Sequence, residues 1–232
     1  MLVQICAFLL VFGICSQSCS GALIAYWNFN TYAGADTPPA FNADAGSGSL
    51  SFDTFTGASS DNQAGSTINA RNSAVAGQAL ALVGNSHNDE SFVISVSGTG
   101  LSSFVLTYAA RRTSTGFSTH QWDYSTDGVT YTPFTSIGFT GNDVFESKTV
   151  DFSSVTALEN STTVYFRNTV AGATGGSGNN RFDNIAIEAV PEVRHYSILS
   201  LIALLIVIVL SHWRKRSLAA SGCLNTGASD RT

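Results

Sequence analysis

Between residues 23 and 189, short bursts of β-branched and aromatic residues alternate with clusters of Ser, Thr, Gly, Asn and Asp, and no window keeps a helical period. That punctuation predicts an all-β domain. Alternation is clearest in SFVISVS, SKTVDF and TTVYFRN, where every second side chain is apolar and the intervening ones are polar. The predicted strands are Leu23–Phe29, Ser49–Phe55, Gln78–Val83, Ser91–Val96, Ser103–Ala109, Gln121–Ser125, Thr130–Phe134, Ser147–Phe152, Thr162–Asn168 and Arg181–Glu188. In QWDYSTDGVTYTPF, two alternating runs flank Asp127-Gly128, a pair suited to the positive φ of a tight hairpin turn. The polar stretches Thr31–Ser47, Gly57–Gly77 and Ala171–Asn180 predict loops. With no internal repeat of fixed period, the expected architecture is a jelly-roll-like antiparallel β-sandwich over residues 23–189.

Both ends break this pattern. The start, MLVQICAFLLVFGICSQSCSGALIA, carries an apolar run followed by small residues, with Ser20 and Ala22 spaced as a signal-peptidase site. Residues 1–22 therefore read as a secretion signal. No Lys or Arg precedes the apolar core, which leaves the amino terminus as its only cation. Toward the other end, Val190–Ser217 reads VPEVRHYSILSLIALLIVIVLSHWRKRS. At roughly 1.5 Å per residue, Tyr196–Trp213 forms a helix of about 27 Å, just enough to cross a bilayer core. Arg214, Lys215 and Arg216 would hold its far end in the cytoplasm, and Tyr196 and Trp213 sit where interfacial aromatics belong. Residues 218–232 then form a short cytoplasmic tail.

Charge and cysteine usage narrow the classes. The domain from Leu23 to Ala189 holds 6 Lys and Arg against 14 Asp and Glu, a net charge of −8. This excludes nucleic acid as a partner, which demands a basic surface. Cys6, Cys15 and Cys19 lie in the signal and Cys223 beyond the apolar run, so no disulfide staples the domain and its core alone must hold it.

No catalytic set emerges. The histidines His87, His120, His195 and His212 are scattered, and neither HExxH, GxSxG nor a P-loop occurs. Glycoside hydrolysis needs two carboxyl groups flanking the bond, and Glu90, Glu146, Glu159 and Glu188 are the possible members, each beside Ser, Asn, Asp or a turn as solvated strand-end acids are. Binding is better provided for. Trp27, Trp122, Tyr124 and Tyr131 are flat faces on which sugar rings could pack, with arginines to orient them. The candidate ligand set is Trp122, Tyr124, Arg111 and Arg112; the alternative for these aromatics is that they alternate into the core. Asp183 and Asn184 interrupt the closing run RFDNIAIE as Asn28 and Asn30 interrupt the opening one. If those strands pair, their oxygens are candidates for a structural calcium ion, or else they satisfy edge backbone. Asn160-Ser161-Thr162 is a formal glycosylation sequon. No other cofactor is expected.

The block Val190–Ser217 resembles the PEP-CTERM sorting signal of bacterial exported proteins. Val190, Pro191 and Glu192 match its knuckle, and Trp213-Arg214-Lys215-Arg216 its basic end; Val193 stands where the family has a second Pro, and the tail after Arg216 is longer. The outer domain is similar to one group of such proteins in LIAYWNFN, RRTSTGF and the closing RFDNIAIE. The resemblance implies export, membrane anchoring, recognition by an exosortase-type processing enzyme, cleavage near the knuckle and release to the cell surface or an extracellular polysaccharide matrix. It implies a non-enzymatic surface protein with its domain outside the membrane. The alternatives are a carbohydrate-binding module and a glycan-active enzyme of lectin-like fold.

Overall fold

Period-2 alternation becomes strand where it occurs, and pairing adds strands where it does not. The computed structural model describes residues 21–34, 40–52, 54–55, 60–141, 143–192, 202 and 204–214. Its strands are β1 (Ala22–Trp27), β2 (Phe41–Asn42), β3 (Ala45–Gly46), β4 (Ser49–Phe52), β5 (Ser60–Ala64), β6 (Gln78–Val83), β7 (Ser91–Val96), β8 (Leu101–Arg112), β9 (Thr119–Ser125), β10 (Thr132–Gly138), β11 (Glu146–Asp151), β12 (Val164–Ala171) and β13 (Asn179–Pro191). The short strands β2, β3 and β5 fall in stretches predicted as loops. They have no alternation of their own and exist because an edge of a neighbour offers unpaired backbone: β3 pairs β1, β2 pairs β4 and β5 pairs β6.

The strands form an antiparallel sandwich. One sheet runs β11-β8-β13-β1-β3 with β6 and β5 joined alongside β13, and the other runs β10-β9-β12-β7-β4-β2. The inner faces supply the core: Phe104, Tyr108, Phe152 and Phe182 from the first side meet Phe92, Trp122 and Phe166 from the second. Phe92 packs edge-on against both Trp122 and Phe182, with ring centroids 5.9 and 5.2 Å apart. Such aromatic pairs add roughly 0.5–1.5 kcal/mol each beyond their buried area. The core also holds a polar chain. Asn180 Nδ2 donates to His120 Nε2 at 2.8 Å, which puts the ring proton on Nδ1, 3.2 Å from the Tyr108 hydroxyl, and Trp122 Nε1 donates to that hydroxyl at 3.2 Å. Burial holds the His120 ring well below its ordinary pKa and the Tyr108 hydroxyl above its own.

Strand β13 changes partner midway. Its first half lies between β6 and β8 and its second between β1 and β8. The register slips between Asp183 and Ala186, and Asn184 takes a φ of 50°. This bulge explains the polar pair in an apolar strand: Asn tolerates a left-handed backbone, and a bulge leaves side chains off the pleat.

Past Pro191 the chain forms a separate unit. Residues 204–214 are helical, with their apolar side chains exposed. Among the described residues no helix is long and apolar enough to cross a membrane. The expected signal, residues 1–22, lies outside them except at its last two positions, as do residues 193–201 and 203 of the expected sorting signal and span, Lys215, Arg216 and the tail.

Candidate functional site

Of the predicted ligand set, Trp122 and Tyr124 face inward. Alternation along β9 puts His120, Trp122 and Tyr124 on the core side; Trp122 is fully buried and Tyr124 packs edge-on against Phe134 and Phe152. Neither presents a face to a sugar, and Trp27 is buried likewise, its Nε1 donating to Phe41 O at 3.1 Å. The physical reason is that a strand in a two-layer sandwich buries one alternate set, and the larger apolar rings win that side. Arg111 and Arg112 lie on the other sheet, at the end of β8. Arg111 pairs with Asp143, while Arg112 Nε donates to Gly116 O at 2.9 Å and holds the turn. The four residues therefore do not converge.

Asp183 and Asn184 clamp a loop. Asp183 Oδ2 accepts from Ser66 N at 2.6 Å and Oδ1 from Asn184 N at 2.8 Å. Asn184 Nδ2 donates to Ser66 O at 2.7 Å and to Ile68 O at 3.0 Å, and its Oδ1 accepts from the Tyr26 hydroxyl. Further along the same loop, Asn69 Nδ2 donates to Asn184 O, and Arg71 reaches Glu188 and Thr107. β1 does pair with β13, but Asn28 and Asn30 lie just past its end, where Asn30 Oδ1 accepts from Gln78 N and Asn28 Oδ1 from Asn30 N. Oxygens aimed at N–H donors do not fit a calcium ion, which wants six or more oxygens turned to one point; they fit the backbone-satisfying alternative. No group of three His, Cys, Asp or Glu suited to a metal occurs among the described residues. Burial pushes the Asp183 carboxyl up to about 7.

The knuckle residues Val190 and Pro191 belong to β13, paired with Ser102 and Leu101, and Glu192 is exposed beyond them. Arg214 ends the described helix. Asn160 of the sequon sits in an exposed turn with φ of 53°, its Oδ1 accepting from Gly100 N.

The outer face of the second sheet gathers what the sequence scattered. Alternation turns Gln121 and Asp123 of β9, Tyr165, Arg167 and Thr169 of β12, and Ser91, Val93 and Ser95 of β7 outward, and pairing aligns them in rows. One row is Asp123–Arg167–Val93–Ser51 and the next Ser125–Tyr165–Ser95–Ser49. Arg167 grips Asp123 Oδ2 with Nε at 3.1 Å and Nη2 at 2.7 Å, while Gln121 Nε2 donates to Asp123 Oδ1 at 3.1 Å. The Tyr131 ring covers the guanidinium, 4.1 Å from its carbon. The β9–β10 hairpin forms as expected, although its loop spans residues 126–131 where the predicted strands left 126–129. Asp127 Oδ1 organises it, accepting from Val129 N and Thr130 N at 2.8 Å each, which hold its carboxyl down at about 2. Gly128, at φ 71°, lies against Tyr165, where a Cβ would come within 3.0 Å of the ring. The loop thus seats two tyrosines beside a floor of small side chains. Continuing from Ser95, a shallow groove of about 290 Å³ is lined by Ser47, Gly48, Ser49, Ser95, Val96, Ser97, Thr162 and Thr163. Sequence alone named Tyr131 but missed Tyr165, Arg167 and Asp123. Alternation in TTVYFRN was the available signal for the outward pair.

A smaller groove of about 220 Å³ on the outer face of the first sheet has Glu188 and Asp151 at its sides, with Val105 between them in register. Arg71 occupies Glu188 with two donors, and Ser153 holds the Asp151 carboxyl below its ordinary value.

No family model matches the chain, and no curated protein matches it. Among solved structures it is similar to the CBM22-1 xylan-binding domain of Paenibacillus barcinonensis Xyn10C, at 9% identity over 76% of this chain and 100% of that one, with a TM-score of 0.43. It is similar also to TmCBM61, solved in complex with β-1,4-galactotriose, at 11% identity over 69% and 92% of the two chains, TM-score 0.41. A third is the K1 cleaved adhesin domain of Lys-gingipain from Porphyromonas gingivalis W83, at 11% identity over 73% and 99%, TM-score 0.41.

Proposed function

We propose that the β domain is a non-enzymatic glycan-binding module of an exported surface protein, using the outer face of the six-stranded sheet. The observation that carries it is the stripe of Tyr131, Tyr165 and the Asp123–Arg167 pair beside a groove lined mostly by Ser and Thr residues. Aromatic planes take the C–H faces of sugars, and fixed planar donors and hydroxyls orient their oxygens. Binding to a panel of soluble and insoluble polysaccharides tests it. Tyr165→Ala should weaken the best ligand at least about tenfold, one stacked ring's worth of about 1.4 kcal/mol, with the fold intact by circular dichroism. A panel without a single bound polysaccharide sinks the proposal.

The export route belongs to the same proposal. The block from Val190 would serve as a sorting signal read by an exosortase-type enzyme, with the apolar helix anchoring the chain and Arg214, Lys215 and Arg216 setting its topology. A cut beyond Pro191 leaves β13 whole, whereas one before Val190 strips its pairing with Ser102. Intact-mass measurement of surface-extracted protein decides this: a C-terminus within residues 191–193 supports processing, and a full-length C-terminus leaves a plain one-span anchor.

A further inference from the structure

We infer that the ligand of the six-stranded sheet's outer face is a neutral glycan, not a polyanion or polycation. The inference rests on the glycan-binding reading above and names the ligand class for the same face.

Among the described residues, the face has only two charged side chains in its aligned rows, Asp123 and Arg167, and they close on each other. Two of the guanidinium's N–H groups go to Asp123 Oδ2, Gln121 takes Asp123 Oδ1, and Tyr131 covers the guanidinium plane. The pair is half-sealed: the Asp123 side chain is 5% exposed and that of Arg167 29%. A polyanion would have to compete with a carboxylate oxygen that already takes two of the guanidinium's N–H groups, and a polycation with the arginine. Around the pair, Ser49, Ser51, Ser95 and Thr169 are uncharged hydroxyl residues and Val93 an apolar patch. The domain's net charge of −8 repels acidic chains at longer range. What remains attractive is exchange of hydroxyl hydrogen bonds and packing of C–H faces on Tyr165 and Val93. A closed ion pair keeps a different use here. It fixes the Tyr131 ring and the β9–β12 register, so the face is shaped before the ligand arrives.

The test is affinity electrophoresis of the full-length protein through gels containing a neutral xylan or galactan, an anionic polygalacturonate or a cationic chitosan, at about 50 mM and about 500 mM NaCl. The expected result is retardation by a neutral polymer alone, with Kd changing less than about twofold between the two salts. Preference for polygalacturonate or chitosan, lost at the higher salt, overturns the inference while leaving glycan binding standing. Binding to no polymer overturns the underlying proposal instead. Tyr165→Ala and Tyr131→Ala locate the effect: unchanged neutral binding in both variants places the ligand elsewhere and refutes the assignment to this face.

Discussion

Asp183 should make the fold weaken as pH rises toward neutrality, the reverse of the usual carboxylate. The residue is 1% exposed, accepts two backbone N–H groups, and belongs to none of the ion pairs among the described residues. Burial lifts its carboxyl from 3.8 in the unfolded chain to about 7 in the fold. Between those values the native state holds the proton more tightly than the unfolded one, so stability is full below the lower value and falls through the window. At about 1.36 kcal/mol per unit over about three units, the loss approaches 4 kcal/mol and then levels off. Asp183→Asn is neutral throughout. Its single carbonyl oxygen keeps one of the two N–H bonds and loses the other, costing about 1 kcal/mol. Urea denaturation should therefore find the variant about 1 kcal/mol less stable than wild type at about pH 3 and about 3 kcal/mol more stable at about pH 8, the curves crossing near pH 4.5. Other groups titrate in the same range, His120 among them, whose lowered value works in the opposite sense. They cancel in the difference. A wild-type-to-variant gap that stays constant from about pH 4.5 to about pH 8 would refute the reasoning.

Other outcomes follow from single groups. Asn168 is fully buried and both its amide atoms lack a hydrogen-bond partner, so Asn168→Leu should raise stability by about 1–2 kcal/mol; a loss in calorimetry would show that the amide is satisfied after all. Asn184→Gly keeps the left-handed backbone and deletes the clamp on Ser66, Ile68 and Tyr26, costing about 2–3 kcal/mol and speeding amide exchange in residues 66–76 ahead of β8. Asp127→Ala should expose the Val129 and Thr130 amides to fast exchange. In wild type their protection is complete above the ordinary carboxylate range and fades as pH falls through about 2, because the folded carboxylate is the more acidic one. Phe92→Ala removes the ring between Trp122 and Phe182 and should cost about 3–5 kcal/mol by thermal unfolding, with neutral-glycan binding unchanged in the folded fraction.

Local chemistry carried much of the fold. Alternation in SFVISVS set β7 at its observed limits, the short apolar run QALALV did the same for β6, and Asp127-Gly128 marked the hairpin between β9 and β10. Period-2 patterning works because each strand solves its own problem of burying one face. The same logic could not say which tyrosine or tryptophan would be left outside. Trp122 and Tyr131 look equally fit to hold a sugar in sequence, and the structure separates them by strand parity and loop length.

The sequence by itself determined an acidic all-β domain without disulfides, the positions of its longer strands, and the apolar stretches that set its two ends apart. Only the tertiary structure decided that Asp183 and Asn184 clamp a loop and that Asp123, Tyr131, Tyr165 and Arg167 share one face. The reason is physical: a strand's pattern depends on neighbours two residues away, whereas a bulge, a partner change in β13 and a row across β9, β12 and β7 depend on registers between segments as far apart as Ala22 and Ala189.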